Sequence, residues 1–299
     1  MKFDSTTISV LLAVFAPLVV LILAIVWDRR QRKRTEKPPQ TEKLLRPPGY
    51  SLSIRLEKTF DSVLNCLLTA SVFSAFSGVC AVFLAGLFGA KAPASFLALG
   101  FLVTLPFVAG CAWAALRAFH WFKEAQNIRL GLSGEQAVAE ALNEATESGI
   151  RAFHDLQTDK VGNIDHVAVG TRGVFLIETK ARRKRSGNNK QAAYEVFYDG
   201  EALQFPFFRD SEPIEQAKRN AAWLSNYLRN KTGEPVEVFP LVVLPGWFVK
   251  ISAKGNFRVS VMNANYLPGF LRRQGEKIAP AQVRRIITAL DEKCRDVEF

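Results

Sequence analysis

The chain has 299 residues, 48% of them hydrophobic, and a formal charge of +11. That length holds one or two domains, and the slightly positive mean hydropathy marks a composition too apolar for a purely soluble chain. Four cysteines without a C-x-x-C pair and three histidines argue against a disulfide framework or a zinc site, and the absence of a Walker A sequence leaves out a nucleotide cofactor.

Ile8 to Trp27 are twenty positions without a charge, interrupted only by Ser9 and Pro17. That is enough helical rise to cross about 30 Å of hydrocarbon. A cleaved signal peptide is the competing reading, but Arg29, Arg30, Arg32, Lys33 and Arg34 follow where a small-residue cleavage site should stand, which favours an uncleaved anchor. Val63 to Phe88 and Pro93 to Leu116 lack Asp, Glu, Lys and Arg and read as a membrane hairpin, giving three transmembrane helices in all. Ala70, Ser74 and Gly78 recur every four positions, which suits a seam for another helix or a second copy of the chain and is also ordinary transmembrane composition. The spans contain no charge that would mark an ion pathway, so a transporter or channel is poorly supported.

Between Asp28 and Lys58 stand ten Lys or Arg against four Asp or Glu, which assigns this loop to the cytoplasm. The expected organisation is a first helix over 1–27, a stiff, Pro-containing linker over 28–62, a hairpin over 63–116 and a cytoplasmic domain over 124–299. The N-terminus then lies outside a bacterial-type inner membrane, with the lipid bilayer as one partner.

From Gly131 the pattern is that of a soluble α/β domain. Ser133 suits an N-cap, and Val138, Ala141, Leu142 and Ala145 recur at helical spacing, which predicts an amphipathic helix of about three turns with Glu135 at its start. Residues 150–156, 163–169 and 174–180 read as strands, the last two joined through Gly170-Thr171-Arg172-Gly173. If Gly170 faces Gly173, opposed residue numbers sum to 343 and Asp165 stands opposite Glu178. Opposed residues share a face, so Asp165, Glu178 and Lys180 converge on one side of the sheet. Two carboxylates so placed repel unless a cation lies between them, and Mg²⁺, or Mn²⁺ in its place, is suited to one or two carboxylates plus water and phosphate. Lys180 is then placed to stabilise phosphate charge. The plainer alternative is a polar strand end with a Glu–Lys surface pair. His166 follows Asp165 and so points to the other face, away from such a site; His154 has no site partner.

The run IDHVAVGTRGVFLIETK resembles the core of the PD-(D/E)xK nuclease superfamily, and within it the nuclease-related domain (NERD) family. The resemblance rests on Gly134-Glu135, on Ile164-Asp165-His166, and on Gly173 through Glu178-Thr179-Lys180. It extends to Glu212-Pro213-Ile214-Glu215-Gln216, where the family's Asn is replaced by Glu212. It covers about residues 131–230 and implies a restriction-endonuclease-like mixed sheet flanked by helices. It also implies Asp165 and Glu178 as metal ligands, Lys180 as the catalytic lysine, Glu135 as an accessory carboxylate, and Gln216 as a DNA contact or a support for the site.

Arg182, Arg183, Lys184, Arg185 and Lys190 follow the E-x-K directly, a cluster that suits nucleic-acid phosphates or an anionic leaflet. Further on, a hairpin turns at Asp199-Gly200. A helix then starts at Pro213 with Ile214, Ala217, Ala221, Leu224 and Leu228 as its apolar stripe, followed by a buried strand over 236–244 and a closing helix over 280–295. Trp247, Phe248 and the other aromatics here read as core or surface packing rather than base-stacking platforms. The expected activity is metal-dependent hydrolysis of DNA at a membrane, and the alternative is a non-catalytic nucleic-acid-binding or scaffold module.

Overall fold

The computed structural model describes residues 27, 43–88, 94–159, 161–184, 194–251 and 257–297. They form two compact units, one built on Glu57–Ala125 and the other on the described residues of Glu42–Leu56 and Gln126–Phe299. Helices α1 (Tyr50–Phe88) and α2 (Ala94–Thr146) each contribute to both.

Among the described residues two helical stretches, Tyr50–Cys80 and Leu102–Thr146, are long and apolar enough to cross a membrane, rather than the three expected; the first expected span, up to Trp27, falls outside the described residues apart from Trp27 itself. Phe73 and Phe76 of α1 pack on Phe107 of α2, with ring centroids 6.4 and 6.1 Å apart. Gly110 lies beneath Phe73, whereas a Cβ at Gly78, in the expected seam, would meet nothing within 4 Å. Thr69 and Ser71 donate to the carbonyls of Asn65 and Leu67, which satisfies hydroxyls on an apolar helix without a partner chain. Leu64, Leu67, Leu105, Val108 and Leu116 point outward, and Arg117 lies over the Trp113 and Trp121 rings near the end of the apolar stretch.

Two sequence expectations at the edge of the second unit change. The helix predicted to begin at Ser133 is the last part of α2; Ser133 Oγ donates to the Leu130 carbonyl 2.9 Å away inside the helix and caps nothing. No proline interrupts residues 117–134, so nothing stops the helix there. The expected extended linker is structured from residue 43 onward. Strand β1 (Leu44–Leu45) pairs with the C-terminal strand β11 (Arg295–Val297), and α1 begins at Tyr50. The anchor is Arg46, whose guanidinium donates to both Asp296 oxygens and to the Asp155 carbonyl.

The domain's main sheet has the order β10-β8-β4-β3-β2. Strands β2 (Arg151–Leu156), β3 (Ile164–Gly170) and β4 (Gly173–Thr179) are antiparallel. Strands β8 (Val238–Val243) and β10 (Ser260–Met262) continue the sheet in parallel from β4. The return from β4 to a parallel β8 needs a crossover. It carries a second, four-stranded sheet of β5 (Glu195–Tyr198), β6 (Leu203–Gln204), β7 (Arg209–Asp210) and the later β9 (Phe248–Ile251), then helix α3 (Glu212–Thr232).

Because β4 is buried on both faces, it reads as an almost unbroken apolar run. One face packs Val167, Val169, Val174 and Leu176 against Ile214, Ala217, Leu224 and Leu228 of α3 and Ile286 and Leu290 of α5 (Pro280–Cys294). The other packs Ala168, Phe175 and Ile177 against Val138, Leu142 and Ala145 of α2 and Leu267 and Leu271 of α4 (Leu267–Arg273). Each buried Leu or Ile contributes about 1.5–3 kcal/mol of transfer free energy. The result is a mixed sheet between helices, the α/β class expected.

Asp155 is the one non-glycine residue among those described with positive φ, at 51°. Its carboxylate accepts from the Ser51 N–H, the Ser51 hydroxyl and the Asn163 amide, at 2.6–3.0 Å, and so closes the first turn of α1 from another element. Asp155→Ala leaves these half-buried donors without their acceptor and puts a Cβ-only residue at positive φ. It is expected to lower stability by about 2–4 kcal/mol in denaturant unfolding, with Asp155→Asn, which tolerates that backbone, losing clearly less.

Candidate metal and phosphate site

The β3–β4 hairpin holds the register computed from the sequence: Gly170 pairs with Gly173 and the ladder runs to His166 opposite Ile177. The turn is pinned from outside, since the Thr171 carbonyl accepts from the backbone N–H groups of Lys277 and Ile278 at 2.8 and 2.9 Å. One step beyond the last ladder pair, Asp165 does not meet Glu178 alone; its Oδ2 accepts from the Thr179 N–H at 2.7 Å. The backbone thus ties one oxygen of the carboxylate to the strand that carries the other acid.

Glu178 is 1% exposed. Its Oε1 accepts from Lys180 Nζ at 2.6 Å, and Lys180 Nζ also donates to Gln216 Oε1 at 3.0 Å. This is not the solvent-facing surface pair of the plainer alternative, because the acid is buried and a third residue, from helix α3, holds the ammonium. Glu178 Oε2 has no hydrogen-bond partner among the described residues. An ammonium has three donors, so one of those on Lys180 remains for another oxygen.

Glu135 reaches this end of the sheet from α2. A Cβ at Gly134 would lie 2.7 Å from the Ala181 Cβ, so only glycine lets the helix pass this close to the end of β4, and the Gly-Glu pair acquires a steric reason. Glu135 is buried and takes the Gly49 N–H as a donor. Gly49 has φ of +71°, and a Cβ there would lie 2.3 Å from Leu132. Sequence reasoning missed Gly49 and Asp155 as supports of the site, since nothing in a Pro-Pro-Gly turn or a strand end reports a partner so far away in the chain.

The acids titrate as a group. Burial first, then Asp155 and Glu178, push Glu135 up to about 7. Burial, then Glu178 and Glu135, hold Asp165 well above the carboxylate range, and burial raises Glu178 against the pull of Lys180. Like charges that raise one another are relieved by a cation placed among them. Among the described residues no three His, Cys, Asp or Glu side chains are grouped to hold a metal. A divalent ion here would take two carboxylates, those of Asp165 and Glu178, and complete its shell with water and phosphate oxygens, as Mg²⁺ commonly does. The free Glu178 Oε2 fits that role.

Elsewhere, Arg182 pairs with Asp210 at 2.8 Å, and Arg183 and Lys184 are exposed beside it. Arg185 and Lys190 lie outside the described residues. His166 packs on the opposite face, its Nδ1 2.8 Å from Nδ1 of His154. Burial lowers His154 to about 4, and burial and then His154 hold His166 well below its usual value, so both are neutral near pH 7.

Between the ordinary Glu value of 4.5 and about 7, folded Glu135 keeps a proton that the unfolded chain has lost. Its contribution to stability is therefore complete below pH ~4.5 and lost as pH rises through about 7. The depressed histidines act in the opposite sense, so the comparison must be with a variant. Glu135→Gln is expected to gain about 2–3 kcal/mol on the parent across that window in metal-free denaturant unfolding. A difference that stays constant with pH would remove the buried, protonated Glu135.

No curated protein and no solved structure matches the chain. Residues 130–245, which include Glu135, Asp165, Glu178, Lys180 and Gln216, match the family model of the nuclease-related domain, NERD.

Proposed function

We propose that the chain is a metal-dependent nuclease that hydrolyses phosphodiester bonds of DNA and is held at a membrane by its apolar helices. The observation that carries this reading is the meeting of Asp165, Glu178 and Lys180 at one sheet end, with a buried carboxylate oxygen left without a partner. A bound Mg²⁺ or Mn²⁺ would supply Lewis-acid stabilisation of phosphate and a water of lowered pKa. Asp165, oriented by the Thr179 N–H, and Glu178 are the residues that would hold it. Lys180 Nζ, fixed between Glu178 and Gln216, directs its remaining donor at a phosphate oxygen. Glu135, pushed up to about 7, can take or give a proton near neutral pH, the range in which a general acid or base works best.

Support for the membrane part comes from outward-facing Leu, Val and Phe on the two helices, and from Arg117 among Trp113 and Trp121, the aromatic and basic composition of a membrane–water boundary. The excess of Lys and Arg before α1 supports a cytoplasmic position for residues 130–245 at an inner membrane.

The full chain in detergent, incubated with linear and circular DNA and with RNA, is expected to cut DNA in Mg²⁺ or Mn²⁺ and not in EDTA. Glu178→Ala and Lys180→Ala are expected to lower the rate by about 10²–10³-fold. Cleavage that survives both substitutions would overturn the assignment, and binding without cleavage under any metal would favour the non-catalytic module.

A further inference from the structure

Of the seven large hydrophobic side chains exposed among the described residues of the second unit, six (Tyr194, Phe197, Phe207, Phe208, Phe248 and Ile251) lie on or beside the four-stranded sheet. They are therefore not scattered surface residues of the ordinary kind. The ladder pairs set the arrangement. Arg209 faces Gln204, Gln204 faces Phe197, and Phe197 faces Lys250, one row across all four strands. In the next row Glu195 faces Phe248. Directly opposed residues share a face. The alternate residues Val196, Tyr198 and Leu203 are buried in the core, so the row faces outward.

Phe197 and Phe248 are 42% and 45% exposed, and Lys250 Nζ lies 5.5 and 6.0 Å from their ring centroids. The sheet is tied to the candidate site, since Trp247 Nε1 donates to the Arg182 carbonyl at 3.2 Å and Arg182 pairs with Asp210 of β7. Arg182 is two residues past Lys180.

We propose that this outward face binds single-stranded nucleic acid, with bases stacked on Phe197 and Phe248 and phosphates along Lys250 and Arg209, and so delivers a strand to the Glu178–Lys180 end. The occupant rests on the nuclease reading. Isolated rings separated by polar and charged groups on a rigid sheet match the alternation of base and phosphate, and stacking on a ring needs no particular sequence. Lys250 and Arg209 pair with Glu195 and Asp199 at 2.8 and 2.9 Å. Such exposed pairs are weak enough for a phosphate to compete. Glu195 within the face argues against a surface that inserts into lipid. Bases inside a duplex are stacked on one another and cannot reach the rings, so a single strand is the preferred form.

The test is binding, read by fluorescence anisotropy of a labelled 20-nucleotide oligothymidylate to the full chain in detergent with EDTA present. The single strand is expected to bind at least about tenfold more tightly than a duplex of equal length. The Phe197→Ala/Phe248→Ala variant should lose at least about tenfold, and the Tyr/Tyr variant at the same positions should retain binding. An unchanged thermal midpoint keeps a loss from being read as misfolding; if the Ala pair fails to fold, Lys250→Gln, with its reduced salt slope, serves instead. Undiminished binding by the substituted chains overturns the proposal, as does binding that disappears in phosphatidylcholine nanodiscs, the result for a face lying on the bilayer. Metal-dependent cleavage with undiminished binding by the Phe variants would sink the platform alone, and Phe-dependent binding without cleavage would sink the nuclease reading alone.

Discussion

Three carboxylates gathered at one end of a sheet, Glu135 and Glu178 buried and Asp165 half-buried, are the constraint around which the second unit is built. An ionised carboxylate moved into a low-dielectric interior costs several kcal/mol, and like charges nearby add to it. Asp165, Glu178 and Glu135 meet that cost in three different ways. Asp165 takes a backbone N–H, Glu178 takes an ammonium, and Glu135 takes a backbone N–H and stays largely protonated below about pH 7. No one of these relieves all three acids, and the residual mutual repulsion is what a divalent cation would remove.

The surrounding structure makes the strain tolerable by leaving little freedom at the sheet end. Gly134 allows α2 to approach the exit of β4. The segment from Leu44 to Ser51 is held by pairing with β11, by the Arg46–Asp296 contact, and by Asp155 at the start of α1. Gly49, within that segment, supplies the donor to Glu135. Residues that precede the family-matched part of the chain therefore support one of its acids. A backbone in an uncommon conformation at Asp155 persists because several donors over-determine it.

The hairpin and its register were legible because a two-residue turn between glycines fixes which residues oppose one another; β4 is buried on both faces, so the turn and not the apolar pattern sets the pairing. The stripe of α3 and the closing helix were legible from spacing alone. The start of the helix bearing Glu135 was not. Ser133 has the chemistry of a cap, but a cap forms only where a helix ends, and the preceding apolar helix never stops. Trp247 and Phe248, read together as core or surface packing, divide between the two: Trp247 is 3% exposed and Phe248, the first residue of β9, 45%. The contact of Gly49 with Glu135 has no local signature, since it depends on where β1 pairs.

The extent of the match also differs from the extent of the fold. Residues 130–245 hold the acids, the lysine and Gln216, but they stop before β10, α4 and α5. Val261 and Met262 of β10 occupy the edge beside β8, Ile286 and Leu290 of α5 cover the face that carries Glu178, and Leu267 and Leu271 of α4 cover the other. Without them β8 becomes an open edge and both faces lose part of their apolar cover. The chemistry is concentrated in the matched segment, and the burial that perturbs its carboxylates is supplied partly by residues on either side of it.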